Sequence, residues 1–175
     1  MNQLKDTILE SALDILMKRG LKGWTMGDTA IAANTSKGLV HYHFSSRNQF
    51  LGEILKVVDL RRRKEMTESL TNRSGTAALD ALWVVIESQV TNGLFGSWLD
   101  LSRELEIVDQ TRPDWYQELT WEVSRSLGID EAILRPASQF IASSIDGFQL
   151  QLLMGSPSQV IRHGYDRMWA AALAS

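Results

Sequence analysis

The 175-residue chain has no cysteine, only three prolines and no long hydrophobic run. The lack of cysteine excludes a disulfide framework, a thiolate metal site and a cysteine nucleophile. Its apolar runs, such as residues 82–86, are far shorter than the roughly 20 residues that a membrane helix needs. Charged residues interrupt the apolar ones at the N-terminus, so we expect no secretory signal there. These absences predict a cytoplasmic protein that does not associate with membranes.

The motifs of common enzyme classes are also missing. The sequence has no glycine-rich phosphate loop, no metalloprotease helix motif and no nucleophile elbow. His41 and His43 would lie 200° apart on a helix, so they cannot share a metal ion. We therefore expect no catalytic activity, no metal and no cofactor.

Residues 25–51 contain the most informative pattern in the chain. Two short helical segments flank a turn at residues 34–36, and Thr25 and Asp28 have the spacing of a capping box. Asn34 tolerates the left-handed backbone that a tight turn between helices requires, and Ser36 can cap the second helix. This layout predicts a helix-turn-helix, whose second helix enters the major groove of DNA.

The second helix of this unit has two distinct faces. With Val40 pointing inward and a step of 100° per residue, Phe44 and His43 also fall on the buried side. Gly38 and Tyr42 point outward, with Lys37 and His41 on one flank and Leu39 on the other. A glycine inside a helix costs about 1 kcal/mol relative to alanine, but its bare backbone allows another molecule to come close. A loop that merely uses glycine is the structural alternative.

The N-terminal third of the sequence resembles a known family. The matching residues are Thr25, Ala30, Ala33, Ser36, Lys37, Gly38, Val40, His43, Phe44, Ser46, Arg47, Phe50 and Leu51, with Ile8, Leu9, Ala12, Leu13, Leu16 and Gly20 upstream. This pattern is similar to the DNA-binding region of TetR-type transcriptional regulators, over about residues 4–55. The sequence departs from the family at Thr29 (usually isoleucine), at Asn34-Thr35 (usually Gly-Val) and at His41 (often tyrosine).

The resemblance, together with the helix faces, assigns DNA contacts. We expect Ser36, Lys37 and Arg47 to anchor phosphates, and Gly38, Leu39 and Tyr42 to face bases. The complete predicted DNA-binding set is Thr25, Ser36, Lys37, Gly38, Leu39, His41, Tyr42 and Arg47. Charge agrees with this assignment, because residues 1–70 carry a net charge of +3 and residues 71–175 a net charge of −6. Ordinary surface variation is the alternative reading of that asymmetry.

The rest of the chain shows helical spacing and no strand-like alternation, so we predict an all-α protein of about nine helices. A long helix should begin near Ser46 and end near Leu70. Asn92-Gly93 should end the following long helix, and Ser97-x-x-Asp100 should cap the next one. Another helix should open at Thr111-x-x-Asp114 and stop at Gly128. We predict a helix-turn-helix domain at residues 1–48 and a helical effector and dimerisation domain at residues 49–175.

Two apolar stripes mark the last two helices. In the TetR family these helices pair with their copies as a four-helix dimer interface, and a two-fold dimer suits a palindromic operator. The alternative is that both stripes face only their own core. The residues predicted at the dimer interface are Ile141, Ile145, Val160, Ile161, Gly164, Tyr165 and Met168.

The middle of the chain is rich in aromatic residues, which suit either an effector pocket or a packed core. The predicted pocket residues are Trp83, Ile86, Trp98, Trp121 and Phe148, and the expected ligand is a small apolar or cationic molecule. The sequence thus predicts a homodimeric repressor that such an effector releases from double-stranded DNA. An effector-independent DNA-binding protein, or a protein-interaction module that has lost DNA binding, would have the same fold.

Overall fold

The computed structural model describes residues 3–106 and 112–174, and within them the chain forms helices and no strand. The α-helices are α1 (Gln3–Arg19), α2 (Met26–Ala32), α3 (Lys37–His43), α4 (Arg47–Leu70), α5 (Thr76–Thr91), α6 (Leu94–Glu104), α7 (Arg112–Leu127), α8 (Glu131–Leu134), α9 (Ser138–Leu153) and α10 (Ser158–Ala174). Short 3₁₀ helices occupy Leu21–Gly23 and Arg135–Ala137. Because α8 is a single turn, nine longer helices remain in the described residues, which confirms the all-α prediction.

The chain divides into two compact units. The described residues within 1–62 and 92–108 form the first unit, and those within 63–91 and 109–175 form the second. Helix α6 therefore belongs with the N-terminal helices, although α5 precedes it in the sequence. The predicted boundary at residue 48 divides the chain by function, into a DNA-binding domain and an effector and dimerisation domain. That division stays a prediction.

Aromatic packing fixes the centre of the first unit. Phe44 stacks on Phe50 with ring centroids 4.1 Å apart, and Trp24 meets Phe50 edge-on at 5.6 Å. The start of α4 follows from local hydrogen bonds, as the sequence predicts. The Ser46 hydroxyl accepts from the Gln49 N–H at 3.1 Å, and the Gln49 side chain accepts from the Ser45 N–H at 2.7 Å. Each of these bonds satisfies a backbone donor that lacks a partner within the helix.

The start of α6 differs from the prediction. The helix begins at Leu94, so Ser97 lies inside it and is buried instead of capping it. The reason is that Gly93 takes the left-handed conformation, with φ 86°, and the Asn92 side chain accepts from the Leu94 N–H at 2.9 Å. These two residues therefore end α5 and begin α6 in one step.

Helix α6 is attached to the end of α1 and the segment that follows. A Cβ placed on Gly93 would lie 2.3 Å from the Met17 carbonyl oxygen, so the two backbones meet where no side chain fits. About two helix turns further along α6 from this junction, the Asp100 carboxylate accepts from the Leu21 N–H at 3.5 Å. Asp100 was predicted to belong to a cap of its own helix, and the structure gives it this different backbone partner.

The second unit is built around one apolar core. Its buried members come from every α-helix of that unit: Met66, Leu70, Ala78, Leu82, Trp83, Ile86, Leu119, Val123, Leu134, Ile141, Ile145, Tyr165, Met168, Trp169 and Ala172. Helix α7 ends at Leu127, directly before Gly128, as predicted. The predicted cap at Thr111 lies outside the described residues. Pro136 occupies the 3₁₀ turn that separates α8 from α9.

Candidate nucleic-acid interface

Helix α2 begins at a well-formed cap. The Thr25 hydroxyl accepts from the Asp28 N–H at 3.0 Å and donates to the Asp28 carboxylate at 2.8 Å. The capping-box spacing in the sequence therefore corresponds to a real interaction, although the carboxylate bonds the hydroxyl and not the Thr25 N–H. This cap fixes the direction in which α2 enters the helix-turn-helix.

The turn between α2 and α3 has the geometry that the sequence predicts. Asn34 adopts a left-handed backbone with φ 49°, and its N–H donates to the Ile31 carbonyl at 3.1 Å. The Thr35 N–H donates to the Ala30 carbonyl at 2.9 Å. The Ser36 hydroxyl then accepts from the Leu39 N–H at 3.2 Å and caps α3. Asparagine thus replaces glycine in this turn at little steric cost.

A buried hydrogen bond joins α2 to Trp24, the residue before its cap. Thr29 is fully buried, and its hydroxyl accepts from Trp24 Nε1 at 2.9 Å and donates to the Thr25 carbonyl at 3.1 Å. The sequence reasoning did not single out Trp24. The pairing of a threonine at a core position with a tryptophan five residues earlier is the pattern that could have revealed it.

The faces of α3 match the helical-wheel prediction. Val40 and Phe44 are fully buried, His43 is half-buried, and the Tyr42 side chain is 81% exposed. Leu39 is partly exposed at 43%. The other predicted contacts on this helix, Lys37, Gly38 and His41, are exposed.

Gly38 has no packing explanation within its own unit. The nearest atom to a Cβ built on it is the Ser36 hydroxyl oxygen, at an ordinary 3.8 Å. The protein itself therefore leaves room for a side chain at this position of α3. Because the residue is glycine, no side chain covers the backbone of α3 beside Tyr42, and another molecule can approach that backbone.

Arg47 is engaged inside its own unit. Its Nη1 atom lies 2.5 Å from Glu104 Oε1, and its guanidinium carbon lies 5.9 Å from the centre of the Trp24 ring. Lys37, by contrast, forms no ion pair with any residue that the structure describes. The two predicted phosphate-binding cations are therefore in different states, one paired and one open to solvent.

The residues predicted to form an effector pocket fall into both compact units. Trp83, Ile86 and Phe148 lie in the second unit, where Trp83 and Phe148 both contact the Tyr165 ring, at 5.2 and 6.2 Å between centroids. Trp98 lies in the first unit, with the guanidinium of Arg62 at 4.3 Å from its ring.

Trp121 is not part of the apolar core of the second unit and is 47% exposed. It lines a surface groove of about 390 Å³ together with Gln117, Glu118, Thr120, Glu131 and Arg135. The groove is open to solvent, and carboxylates, a guanidinium and an indole share its lining, so it differs from an enclosed apolar pocket.

Two glutamines that the sequence reasoning missed are buried in the core of the second unit. Gln149 Nε2 donates to Gln89 Oε1 at 3.1 Å and to the Ile86 carbonyl at 3.3 Å. Gln89 Nε2 donates in turn to the Glu65 carboxylate at 3.1 Å. Buried amides are expensive unless they are hydrogen-bonded. This chain of hydrogen bonds from Gln149 through Gln89 to Glu65 gives the buried amides their partners and reaches the Ile86 carbonyl.

Most of the residues predicted at a dimer interface are buried within their own chain. Ile141, Ile145, Tyr165 and Met168 belong to the core of the second unit. Burial raises the pKa of the Tyr165 hydroxyl above its ordinary range, and this hydroxyl donates to the Leu79 carbonyl at 2.7 Å. An apolar stripe at helical spacing has the same appearance whether it covers a core or a partner, and these four residues cover their own core.

Three other residues of that prediction are accessible to different degrees. Ile161 and Gly164 are half-buried, and Val160 is 62% exposed. The missing side chain of Gly164 permits a close approach, but to Phe148 of the same chain, whose Cε1 would lie 3.3 Å from an added Cβ.

A different face of α9 is open and apolar. The side chains of Phe140, Leu150 and Met154 are 56%, 40% and 74% exposed, and the small residues Ser143 and Gly147 lie between them on the same face. Their spacing alternates between three and four residues, which is the period of a helix-packing seam. Val160 at the start of α10 is a further exposed apolar residue.

Neither a membrane span nor a metal site is found in the described part of the chain. No helix there combines the length and the apolar character needed to cross a bilayer. No group of three or more histidine, aspartate or glutamate side chains among these residues could hold a metal ion.

Two short helices are joined by a capped turn, and the outer face of the second helix is exposed. These features define a helix-turn-helix protein. Residues 8–54 match the model of the family described as bacterial regulatory proteins, tetR family. A stretch of 74 residues is 32% identical to the HTH-type transcriptional regulator QacR of Staphylococcus aureus, and it covers 40% of this chain and 39% of that protein. The N-terminal region of the chain is therefore similar to that of the tetR family of bacterial regulatory proteins.

Solved structures extend the similarity to the whole fold. A putative TetR-family transcriptional regulator from Rhodococcus sp. superposes with a TM-score of 0.70 at 20% identity, covering 99% of this chain and 100% of that one. The multidrug binding protein EbrR complexed with ethidium superposes with a TM-score of 0.65 at 17% identity, covering 95% and 98%. At these identities the two structures establish a shared fold.

Proposed function

We propose that the protein is a homodimeric transcriptional repressor that binds a palindromic operator and is released from it by a small-molecule effector. The observation that carries the proposal is the outer face of α3. That face presents Tyr42 almost fully to solvent, beside a glycine that no internal contact explains. The protein would act in the bacterial cytoplasm, where its DNA lies.

The proposed DNA contacts divide by chemistry. Lys37 and the backbone at the Ser36 cap lie at the N-terminus of α3, where a positive charge and free N–H groups suit a phosphate. Tyr42, Gly38 and Leu39 form the part of the helix that reads base edges. Thr25 at the start of α2, His41 on the flank of α3 and Arg47 at the start of α4 contact the neighbouring backbone.

We propose that the exposed face of α9, with the start of α10, forms the dimer interface. Phe140, Leu150, Met154 and Val160 would meet their two-fold copies there, and the small residues between them would let the helices come close. An exposed apolar stripe of this length is costly in water unless a partner covers it. This arrangement keeps the dimer at α9 and α10, as the family resemblance implies, but uses the opposite side of α9.

We propose a cationic or apolar aromatic effector that binds in the second unit beside Trp83. The buried amides of Gln89 and Gln149 would orient its polar group, and Phe148 would contribute a ring. The structure of the multidrug binding protein EbrR, which has a similar fold, was solved in complex with ethidium, and this supports a planar cationic ligand. Operator release then follows if the effector favours a conformation that DNA does not, because the two ligands must weaken each other by the same factor.

Two substitutions on α3 test the DNA-binding role. Tyr42→Ala should weaken binding to the selected operator by about 10-fold or more and leave binding to mixed-sequence duplex nearly unchanged, because base contacts carry the specificity. Lys37→Ala should weaken both, since phosphate contacts are independent of sequence. Fluorescence anisotropy with both duplexes measures the two affinities. An unchanged specificity ratio for Tyr42→Ala would contradict the assigned face.

A further inference from the structure

Glu104 occupies an unusual position at the end of α6. It is the last residue of the helix, where a negative charge opposes the helix dipole. Its side chain remains 39% exposed, and its Oε1 atom lies 2.5 Å from Arg47 Nη1. Helix stability therefore does not explain a carboxylate here, whereas the pairing with Arg47 does.

Arg47 is close in sequence to the recognition helix. It is the first residue of α4, three residues after Phe44, which caps the C-terminus of α3. The guanidinium carbon of Arg47 also lies 5.9 Å from the centre of the Trp24 ring. Arg47 is thus held by a carboxylate and an aromatic ring at the edge of the proposed DNA-binding surface.

The same helix is anchored at two further points of this unit. Gly93, just before α6, meets the Met17 carbonyl, and Asp100 accepts from the Leu21 N–H. These contacts fix the beginning of α6 on α1 and its middle on the 3₁₀ helix that follows α1. The pairing of Glu104 with Arg47 is therefore positioned by packing and does not depend on a chance encounter of two long side chains.

A carboxylate and a phosphate compete for a guanidinium because both offer oxygen pairs that match its donors. We propose that Glu104 is an internal competitor for the DNA phosphate that Arg47 binds, so that α6 holds the DNA affinity below its attainable value. The inference rests on the proposed DNA-binding function. It makes the end of α6 a regulatory element of that surface, since a movement of Glu104 away from an unmoved Arg47 raises the affinity.

Removing the charge of Glu104 is the direct test. Glu104→Gln should raise the affinity for a mixed-sequence duplex by roughly 2- to 5-fold at low salt, the range expected for an exposed ion pair. A mixed sequence is sufficient, because phosphate contacts do not depend on bases. Anisotropy titrations at several salt concentrations, with full-length protein, give the affinities.

Two controls separate competition from general electrostatics. Glu106→Gln removes the same charge two residues further on, from an exposed side chain that pairs with no described residue. It should change the affinity much less than Glu104→Gln does. In an Arg47→Gln background, Glu104→Gln should have no more effect than Glu106→Gln, because the guanidinium that both acceptors share is gone.

Each outcome has a distinct meaning. A Glu104→Gln effect equal to that of Glu106→Gln, or one that persists in the Arg47→Gln background, would overturn the competition while leaving DNA binding intact. If the wild type and all variants fail to bind duplex DNA even at low salt, the proposed function is overturned, and this inference with it. A selective, Arg47-dependent gain in affinity supports both.

Discussion

At the scale of single residues, the buried hydroxyl of Thr29 shows how one departure from the family pattern is accommodated. The family resemblance leads us to expect isoleucine at this position, and a polar atom there would be unfavourable if it had no partner. Trp24 Nε1 donates a hydrogen bond to the hydroxyl, and the hydroxyl donates one to the Thr25 carbonyl. Thr29 and Trp24 therefore form a hydrogen-bonded pair, and a change at either position leaves the other side chain without its partner.

Replacing this hydroxyl should destabilise the protein. Thr29→Val keeps the shape of the side chain but leaves the buried Trp24 indole N–H without an acceptor, at a cost of about 1–3 kcal/mol. Thr7→Val, which removes an exposed hydroxyl on α1, should change the unfolding free energy by less than about 0.5 kcal/mol. Urea unfolding monitored by circular dichroism compares them. Equal effects at the two positions would show that the Trp24 contact contributes nothing.

Gly93 gives a second prediction at this scale. Gly93→Ala should lower the unfolding free energy by about 2 kcal/mol or more, because the residue has φ 86° and the new Cβ would overlap the Met17 carbonyl. Gly52→Ala is the matched control, since Gly52 lies within α4 with no atom within 4 Å of the new Cβ. That change should raise the unfolding free energy by up to about 1 kcal/mol. Thermal unfolding of both variants checks the opposite signs.

At the scale of elements, α3 could be predicted well from the sequence. A step of 100° per residue is a property of every α-helix, so one inward residue, Val40, fixes the directions of the others. The exposed Tyr42 and the buried Phe44 follow from it. The turn was equally accessible, because few residues other than glycine tolerate the backbone that Asn34 adopts.

Helix α6 shows where local rules fail. Ser97 and Asp100 have the spacing of a cap, but Asn92 and Gly93 begin the helix four residues earlier. Two cap patterns so close together compete, and the choice depends on the packing of Gly93 against Met17, which is distant in sequence. Trp83 and Trp98 likewise belong to different compact units. The number of aromatic residues in a stretch of sequence does not indicate which compact unit each ring joins.

Helices α9 and α10 illustrate a different limit. Their apolar periodicity correctly indicates helices with a buried face, but apolar side chains do not record what buries them. Ile141 and Ile145 turned out to face their own core. The outward seam of Phe140, Gly147 and Leu150 mixes large and small residues, and such a mixture is difficult to distinguish in sequence from an ordinary solvent-facing surface.

At the scale of the whole molecule, the exposed seam of α9 predicts assembly. Leu150→Glu should convert the dimer into monomers that keep their helical circular dichroism, because it places an unpaired charge in the interface without disturbing the core. Binding to the two-fold operator should weaken by at least about 100-fold, since one half-site provides much less affinity. Sedimentation velocity measures the oligomeric state.

Val84 on α5 provides the control for this prediction. It is 62% exposed and lies outside the α9 seam, so Val84→Glu adds the same charge without touching the proposed interface. This variant should remain dimeric and bind DNA normally. A monomeric wild type at micromolar concentration, or dimeric Leu150→Glu, would refute the seam as the dimer interface.

The discontinuity of the first compact unit has a consequence for how the protein is made. Its helix-turn-helix leaves the ribosome early, but α6 belongs to the same unit and follows only after residues 63–91, which belong to the other. Until α6 has emerged, Arg47 lacks its carboxylate partner and the Met17 backbone lacks Gly93. A nascent chain stalled before residue 92 therefore carries the recognition helix without its internal competitor, and the growing polypeptide acquires that restraint on its affinity for DNA during translation.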